Sequence, residues 1–526
     1  MKDLPAVKTH SLLLASCWLL LVIPALAENV QPNPNVAYDL KHDVSLPLSV
    51  MAKNAPPPKP GMTEMREHRS PKHFFSISNV PDPVVQTEVL PDVHTTNLLS
   101  FDAITGVQGG AIPPDTNGSV GSTQYVLITN FDYAVYDKTT GNTILPPTRI
   151  NVIWSGFGGQ CQTNNGGDPI VLWDKMAQRW LVEQLEYFGG PNLVCVAVST
   201  TADATGSYNR YSFSFGSALP DYPHIGVWPD AYYLAVNSFG QGFGQPCALD
   251  RNAMLAGTAA AMVCFSPNSS NFGFLPSDVD GTTLPPAGAP NHFLEMGNNN
   301  TSLKYFDFHV DFINTNNSTF TGPHTITVPA FTVLCGGGGG ACIHQPSPGS
   351  LLDALGDRLM YRNAYRNFGD HESMVVAHSV KPGGGSTADA ATRWYELRAT
   401  PPGSAFTLYQ AGTLQDKKMS VWMASIAMDK QGNIAIGASV VSSTTVKPTI
   451  GYTGRIPSDP LGKMESAKLV AKGAGVQTGS NRWGDYSSMS VDSSDDCTFW
   501  YAQEYYKANG TNWIIHINSF KFTSCN

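Results

Sequence analysis

Ionisable side chains recur just before short apolar stretches of this sequence, and the recurrence is its clearest chemical signal. In chain order the recurring residues are Asp115, Asp168, His224, His292, the run Asp370-His371-Glu372 and the pair Asp485-Tyr486. Carboxyl groups that meet in one site can act as acid, base or nucleophile, or can bind a cation. The pattern therefore predicts one shared polar site, provided that the fold brings these positions together.

These positions belong to a repeating unit of polar turn, small or apolar strand, acidic turn and aromatic strand. The clearest copy spans Asn481–Tyr506. The seven copies begin at Pro113, Gly167, Tyr222, Asn291, Gly369, Trp422 and Asn481. Each copy has room for a four-stranded antiparallel sheet that cannot bury both faces alone, so the copies must stack around an axis.

The sequence thus predicts an all-β fold, a seven-bladed β-propeller, with six or eight blades as alternatives because the fourth copy fits poorly. The composition agrees, since 49 Gly, 38 Pro and only 14% charged residues favour short strands and tight turns. A pair of β-sandwiches is the other architecture, but it does not require a repeated acid at one position of the unit.

In a propeller the first strand of every blade lines the central axis, so equivalent turns converge at one mouth of the channel. The residues for which we predict catalytic roles are Asp168, Glu372, Asp370, Asp485, Tyr486 and His224. The predicted substrate-binding residues are Arg366, Arg482, Tyr222, His371 and Trp483. Arginine binds carboxylate or sulfate groups, and aromatic rings stack on sugars.

The same residues have simpler explanations. An Asp after Gly or Pro often bonds its own backbone in a turn, a lone His is usually buried and hydrogen-bonded, and Trp packs between blades. Strand alternation places His371 on the face opposite Asp370 and Glu372, so the three cannot all face the axis. The long loop region 239–291 is another place where a site could form.

Asp115, Asp168 and Asp485 are the predicted ligands of a Ca²⁺ ion, which is the one cofactor that the sequence suggests. Clustered carboxylates repel one another when all are ionised. Either some of their pKa values rise, or a cation enters the cluster.

One turn carries a family resemblance. Residues Ser494–Trp500 (SDDCTFW) resemble the Asp-box turn of sialidase-type (BNR-repeat) propellers, and Asp429–Asn433 (DKQGN) is a fainter copy. Asp496 stands where that family has Gly, and Phe499 displaces the Trp. The chain as a whole is similar to secreted bacterial β-propeller proteins. The resemblance implies the fold, and it implies an outer structural turn at the box instead of an active site.

The chain begins with a predicted signal peptide, residues 1–27. Lys2 and Lys8 supply its positive end, Ser11–Pro24 its apolar region and Ala25–Ala27 its cleavage site. No later stretch is long and apolar enough to span a bilayer. The protein is therefore predicted to be secreted, either extracellular or periplasmic.

Two regions follow the signal peptide. Residues 28–105 are predicted to be a Pro-rich N-terminal segment or linker, of which Val84–Leu90 is a candidate to pair with a strand of the main domain. Residues 106–526 are predicted to form the propeller domain. Of nine cysteines, Cys17 lies in the signal peptide, and the eight that remain predict disulfides. The simplest pairing is between neighbours: Cys161–Cys195, Cys247–Cys264, Cys335–Cys342 and Cys497–Cys525.

Two functions fit this reading. The first is a carbohydrate-active enzyme, a glycoside hydrolase (sialidase-like) or polysaccharide lyase acting on glycans that include acidic ones, with paired carboxyls as acid and base. The second is a non-catalytic, calcium-containing propeller that binds a ligand or another surface. Both predict an extracellular glycan or other surface ligand as partner. A net charge of −9 without clustered Lys and Arg argues against nucleic acid.

Overall fold

The computed structural model describes residues 33–56, 61–65, 81–88, 90–240, 243–267, 270–337, 340–383 and 385–525. The predicted signal peptide lies outside the described residues. In chain order the strands are β1 (Asn35–Tyr38), β2 (Lys41–Val44), β3 (Thr63–Glu64), β4 (Thr95–Thr105), β5 (Ala111–Ile112), β6 (Asn117–Val120), β7 (Gln124–Ile128), β8 (Asp132–Asp137), β9 (Thr143–Arg149), β10 (Ile170–Asp174), β11 (Arg179–Glu186), β12 (Asn192–Ser199), β13 (Tyr208–Gly216), β14 (Leu219–Val227), β15 (Tyr232–Phe239), β16 (Phe243–Leu249), β17 (Ala261–Cys264), β18 (Leu275–Asp280), β19 (Asn291–Met296), β20 (Ser302–His309), β21 (Thr319–Thr327), β22 (Thr332–Val333), β23 (Ala341–Ile343), β24 (Leu352–Asp353), β25 (Met360–Asn367), β26 (Glu372–Lys381), β27 (Ala391–Ala399), β28 (Thr407–Leu414), β29 (Met419–Met428), β30 (Ile434–Ser442), β31 (Thr449–Arg455), β32 (Lys468–Ala471), β33 (Ser488–Val491), β34 (Thr498–Tyr505) and β35 (Ile514–Phe522).

Helices are short and lie in the connections. The α-helices are α1 (Leu48–Lys53), α2 (Gly106–Gly109), α3 (Gly159–Thr163) and α4 (Arg251–Ala256), and 3-10 turns cover Ile150–Trp154, Thr315–Asn317 and Leu334–Gly337. No helix among the described residues has both the length and the apolar character needed to cross a membrane.

The strands form a closed series of antiparallel meanders. We number them sheets 1 to 7: β6–β9, β10–β13, β14–β17, β18–β21, β25–β28, β29–β32, and β33–β35 with β4. The first strand of each sheet contacts the first strand of the next, and β33 contacts β6, so the inner strands surround one axis. Strands β18 and β25 also pair in parallel, which joins sheets 4 and 5. The prediction of an all-β propeller is confirmed. The number of blades stays a prediction, which the seven meanders support.

Parts of the segment predicted as a linker are strands of the propeller. Strand β4 pairs with β35 and completes sheet 7, while β1 and β2 pair with β17 and β13 at the outer edges of sheets 3 and 2. Val85 forms a bridge with Thr413 of sheet 5, within the stretch that the sequence offered for pairing. The Pro-rich composition hid these strands because each one is short or lies at an edge, where a regular apolar pattern is not required.

The strand that the sequence predicts to be the first of its sheet is the first in five sheets and the second in two. The copies predicted at Asn291 and Gly369 begin one strand late, because Asn291 starts β19 and Glu372 starts β26, each the second strand of its sheet. The true inner strands read LPSDVD in β18 and MYRNAYRN in β25. Proline and charged residues conceal their strand character, since burial beside the channel tolerates polar groups that have partners.

Small residues of one sheet face large aromatic residues of the next. A Cβ atom on Gly437 would overlap the ring of Tyr501, and one on Gly121 would overlap Trp180. Between sheets 1 and 7 the rings of Tyr125 and Trp500 stack at 4.9 Å. This complementarity explains why a strand of small residues alternates with a strand of aromatic residues in the repeating unit.

Four disulfides staple the loops and edges of the sheets. They join Cys161 to Cys195, Cys247 to Cys264, Cys335 to Cys342 and Cys497 to Cys525, which is the predicted pairing of neighbours. Four disulfides in one chain indicate an oxidising compartment.

Candidate functional site

A cluster of carboxyl and guanidinium groups lies at one mouth of the channel, beside the starts of the inner strands. We call it the acidic mouth and define it as Asp115, Asp168, Asp221, Asp485, Arg358 and Arg482. The space between these groups is about 30 Å³, enough for about one or two water molecules. The structure therefore brings together the predicted residues Asp115, Asp168 and Asp485, which are far apart in sequence.

Backbone geometry helps to explain the aspartates that precede β6 and β10. Asp115 and Asp168 have φ values of +46° and +49°, in the left-handed region that Asp adopts more readily than most residues. Asp115 also accepts hydrogen bonds from the Asp485 backbone N–H and from Asn130 Nδ2, both at 2.7 Å. Part of the recurring acid signal is thus structural, since the bond from the Asp485 N–H ties sheet 7 to sheet 1.

Asp168 and Asp221 form a pair of carboxyl groups at the mouth. Their side chains are hydrogen-bonded to each other, and Asp168 Oδ2 also accepts from the Tyr222 backbone N–H at 3.1 Å. Burial and then the charge of Asp485 raise the pKa of Asp221 to about 7, against the opposing effect of Arg358 and Arg482. Burial and then the charges of Asp221 and Asp485 raise the pKa of Asp168 well above its usual range. The mouth therefore keeps a protonated carboxyl group near neutral pH.

The two arginines of the mouth are already paired with carboxylates. Arg482 Nε lies 3.0 Å from Asp353 Oδ2, and its Nη2 lies 3.3 Å from Asp485 Oδ1. Arg358 makes a bidentate pair with Asp357, at 2.8 and 3.1 Å. These ion pairs fix both guanidinium groups and give Asp485 a direct cationic partner.

The floor of the mouth is a cluster of aromatic rings. The His224 ring lies 4.4 Å from Tyr222, 5.4 Å from Tyr486 and 5.6 Å from Tyr361 between centroids. Both ring nitrogens of His224 and the hydroxyls of Tyr222 and Tyr486 are buried without a hydrogen-bond partner among the described residues. Burial and then the charge of Arg358 lower the pKa of His224 to about 3, so the imidazole is neutral at physiological pH.

Several predicted site residues lie away from the acidic mouth, as a consequence of the wrong phase in sheet 5. The inner strand β25 begins beside Arg358, so the turn after its end at Asn367 lies at the other end of the channel. Asp370 is exposed in that turn and pairs with His371 at 2.6 Å. Glu372 is buried and accepts hydrogen bonds from the Tyr365 hydroxyl and the Gly403 N–H, each at 2.5 Å.

Three more predicted residues are occupied in other parts of the fold. Arg366 makes a bidentate pair with Asp496, with both contacts at 2.7 Å. Trp483 packs in the core 5.4 Å from Trp422, so it offers no surface to a sugar. His292, on the second strand of sheet 4, pairs with Asp307 at 2.7 Å.

The sequence reading missed Asp221, Arg358 and Glu183. Asp221 directly precedes the predicted start of the third copy, and Arg358 precedes an inner strand whose polarity hid it. Glu183 lies on β11 with both carboxyl oxygens buried and unpartnered among the described residues. Burial and then the charge of Asp168 raise its pKa well above the usual range, which favours the protonated form of Glu183. Of these three residues, only Asp221 could have been found from the sequence, because it is another acid at a turn.

The described residues contain no group of three or more His, Cys, Asp or Glu side chains arranged to hold a metal ion. At the acidic mouth, Arg482 supplies positive charge beside Asp485, where the predicted Ca²⁺ would have stood. The role of Asp115, Asp168 and Asp485 as calcium ligands therefore gains no geometric support.

Comparison with known proteins gives fold similarity without a close relative. No family model matches the sequence, and no curated protein matches it. An α-L-arabinofuranosidase of Fusarium graminearum aligns at 10% identity over 82% of this chain and 99% of that one, with a TM-score of 0.36. The WD40 domain of SCAP from fission yeast aligns at 10% identity over 76% and 82%, with a TM-score of 0.34. A subtype N10 neuraminidase-like protein of A/little yellow-shouldered bat/Guatemala/060/2010 aligns at 9% identity over 71% of this chain and 98% of that one, with a TM-score of 0.32. These similarities are too distant to indicate a substrate.

Proposed function

We propose that this protein is an extracellular glycoside hydrolase and that the acidic mouth is its active site. The proposal rests on two carboxyl groups that differ in charge state and lie beside a space for water. The pKa of Asp221, beside Asp168, is raised to about 7, while Asp485 forms an ion pair with Arg482. Glycoside hydrolysis needs this combination of one protonated and one ionised carboxyl group.

The roles follow from these charge states. Asp221 donates its proton to the glycosidic oxygen as the bond from that oxygen to the anomeric carbon breaks. Asp485 takes a proton from a water held in the mouth, whose oxygen forms the new bond to the anomeric carbon. The space of about 30 Å³ admits water or one hydroxyl group but no sugar ring, so the ring binds on the solvent side of the carboxyl groups and one of its hydroxyl groups enters the mouth. Direct attack by this water inverts the anomeric configuration.

Aromatic residues at the rim supply a surface for the sugar. Tyr187 lines the mouth, and its ring lies 4.2 Å from that of Phe188, which is 51% exposed. Aromatic faces bind the apolar face of a sugar ring while their edges stay in water. This pair takes the role that the sequence assigned to Trp483.

A non-catalytic ligand-binding propeller is the second candidate. The observation that favours it is the tight pairing of the mouth, in which both arginines already contact carboxylates and the free space is small. In that case the same residues hold the sheets together and bind a surface ligand without turnover.

Turnover on a panel of plant and bacterial polysaccharides, with reducing-end detection, separates the two candidates. We expect Asp221→Asn and Asp485→Asn each to lower kcat/KM by about 100-fold or more while melting as the wild type does. Activity should fall as the pH rises through about 7, because Asp221 loses the proton that the acid must donate. The matched control is Asp370→Asn in the exposed turn, which should keep full activity. Absence of turnover in the wild type, or full activity in both mouth variants, would contradict the proposal.

A further inference from the structure

Both arginines that line the acidic mouth form ion pairs with carboxylates of the protein. Arg358 pairs with Asp357 through two contacts, and Arg482 bridges Asp353 and Asp485. The guanidinium of Arg358 also lies over the Tyr222 ring, 4.5 Å from its centroid. A carboxylate of an incoming ligand would have to displace a buried ion pair in order to reach either arginine.

The charge balance of the mouth is unfavourable for an anion. Six carboxyl groups surround the two guanidinium groups: Asp115, Asp168, Asp221, Asp353, Asp357 and Asp485. Carboxylates at close range repel one another, and both guanidinium groups of the mouth already form ion pairs. The arginine arrangement expected from the sequence for an acidic sugar is therefore not available at this mouth.

Uncharged hydrogen-bonding groups lie just below. Tyr222, His224, Tyr486 and Glu183 are each at least 97% buried, with relative exposures of 3%, 1%, 1% and 0%. Tyr222 and Tyr486 directly follow Asp221 and Asp485 of the mouth, and the Arg358 guanidinium lies over the Tyr222 ring. Buried polar groups normally have partners, and groups without a protein partner require water or a ligand. The phenols, the neutral imidazole and the protonated carboxyl group offer donors and acceptors without net charge.

We infer that the acidic mouth and its floor recognise the hydroxyl groups of an uncharged sugar residue and disfavour uronic acids and other anionic sugars. The inference rests on the proposed function in taking the ligand to be a sugar. Hydroxyl groups can both donate and accept, which matches the unpartnered groups of the floor. An anionic group would meet carboxylates without a free cation, so discrimination comes from repulsion as well as from fit.

Matched sugars that differ only at C6 test this selectivity. We would measure binding of galactose and galacturonate, glucose and glucuronate, and mannose and mannuronate to the full chain at pH 7.5, by saturation-transfer NMR with competition titrations. In at least one pair the neutral sugar should bind, with its uronate at least about tenfold weaker, which corresponds to the loss expected from one uncompensated charge contact. Equal or tighter binding of the uronates, or no binding of any neutral sugar, would overturn the inference.

Two variants locate the effect. Tyr486→Phe keeps the ring and removes one unpartnered hydroxyl, so affinity for the neutral sugar should fall about fivefold. At pH 7.5, above its pKa of about 7, Asp221 is mainly ionised, so Asp221→Asn removes a charge without a change of size and the ratio of uronate to neutral dissociation constants should fall at least about threefold. Asp370→Asn should change neither quantity. If both mouth variants matched the wild type in these ratios, the binding would lie elsewhere and the inference would be wrong.

This binding test and the turnover test fail independently. Neutral sugars that bind without any hydrolysis would sustain the selectivity and refute the hydrolase. Hydrolysis of polygalacturonate, without hydrolysis of its carboxyl-reduced form, would sustain the hydrolase and refute the selectivity.

Discussion

Each buried histidine makes its own contribution to the pH dependence of the stability of this protein. His378 lies on β26, where its Nε2 is 3.0 Å from the Tyr395 hydroxyl and its ring packs against Phe331 at 4.7 Å. Burial and then the positive charge of Arg393 lower the pKa of His378 from 6.5 to about 3. The folded protein therefore keeps this imidazole neutral over a range in which the unfolded chain protonates it.

His378→Phe should remove this part of the pH dependence. Between pH 6.5 and pH 3 the unfolded state binds a proton that the native state does not, so the free energy of unfolding falls as the pH falls. At pH 5 the contribution of His378 amounts to about 2 kcal/mol. Urea unfolding at pH 7 and pH 5 should show a smaller loss in His378→Phe than in the wild type. Tyr395→Phe is the matched control, because it removes the hydroxyl partner and keeps the imidazole. Equal losses in wild type and His378→Phe would refute the assignment.

The inner strands are the elements that position the acidic mouth, and they show how far sequence reasoning reaches. Asp115, Asp168 and Asp485 could be found because their strands follow the regular template. Arg358 could not, because it precedes β25, which reads MYRNAYRN and whose arginines pair with residues distant in sequence, as Arg362 does with Asp278 at 2.8 Å. Pairing of that kind depends on the closed ring, so a local pattern carries no trace of it.

Turns between strands depend on aspartates that have no part in the site. Asp495, in the turn from β33 to β34, accepts from the backbone N–H groups of Cys497 and Thr498 at 3.0 and 2.9 Å and from Thr498 Oγ1 at 2.7 Å. Asp429 makes the same kind of contacts in sheet 6, where it accepts from the N–H groups of Gln431 and Asn433. The resemblance to an Asp-box turn thus corresponds to a structural role, as it implied.

Asp495→Ala should destabilise the protein without affecting any site. Three hydrogen bonds are lost, at a net cost of about 1–3 kcal/mol. Asp495→Asn keeps an acceptor oxygen and should lose less. Denaturant midpoints should rank wild type, then Asn, then Ala, while Asp370→Ala in the exposed turn should equal the wild type. A midpoint for Asp495→Ala that equals the wild-type value would contradict this role.

At the scale of the whole molecule, the ring is closed by strands from both ends of the propeller. Sheet 7 takes β33–β35 from the C-terminal region and β4 from residues that precede sheet 1. The Cys497–Cys525 disulfide secures the C-terminal strands of the same sheet. Closure of this kind leaves the edge of β35 covered, where an open edge would pair with other chains.

Moving β4 to the C-terminal end of the chain tests directly whether this strand closes the ring of sheets. The Thr523 N–H donates to the His94 carbonyl at 2.9 Å, and Phe522 pairs with Thr95, so β4 can follow β35 through a short turn. A chain of residues 106–525 should aggregate or melt well below the same chain with residues 94–105 joined after Cys525 by a short Gly/Asn linker. Adding Ile104→Asp to the joined strand should cancel the rescue, because Ile104 is fully buried. Size-exclusion chromatography and thermal melting compare the three proteins, which all lack α1 and β1–β3. If the chain without β4 were monomeric and as stable as the rescued one, closure by β4 would not be what holds the ring together.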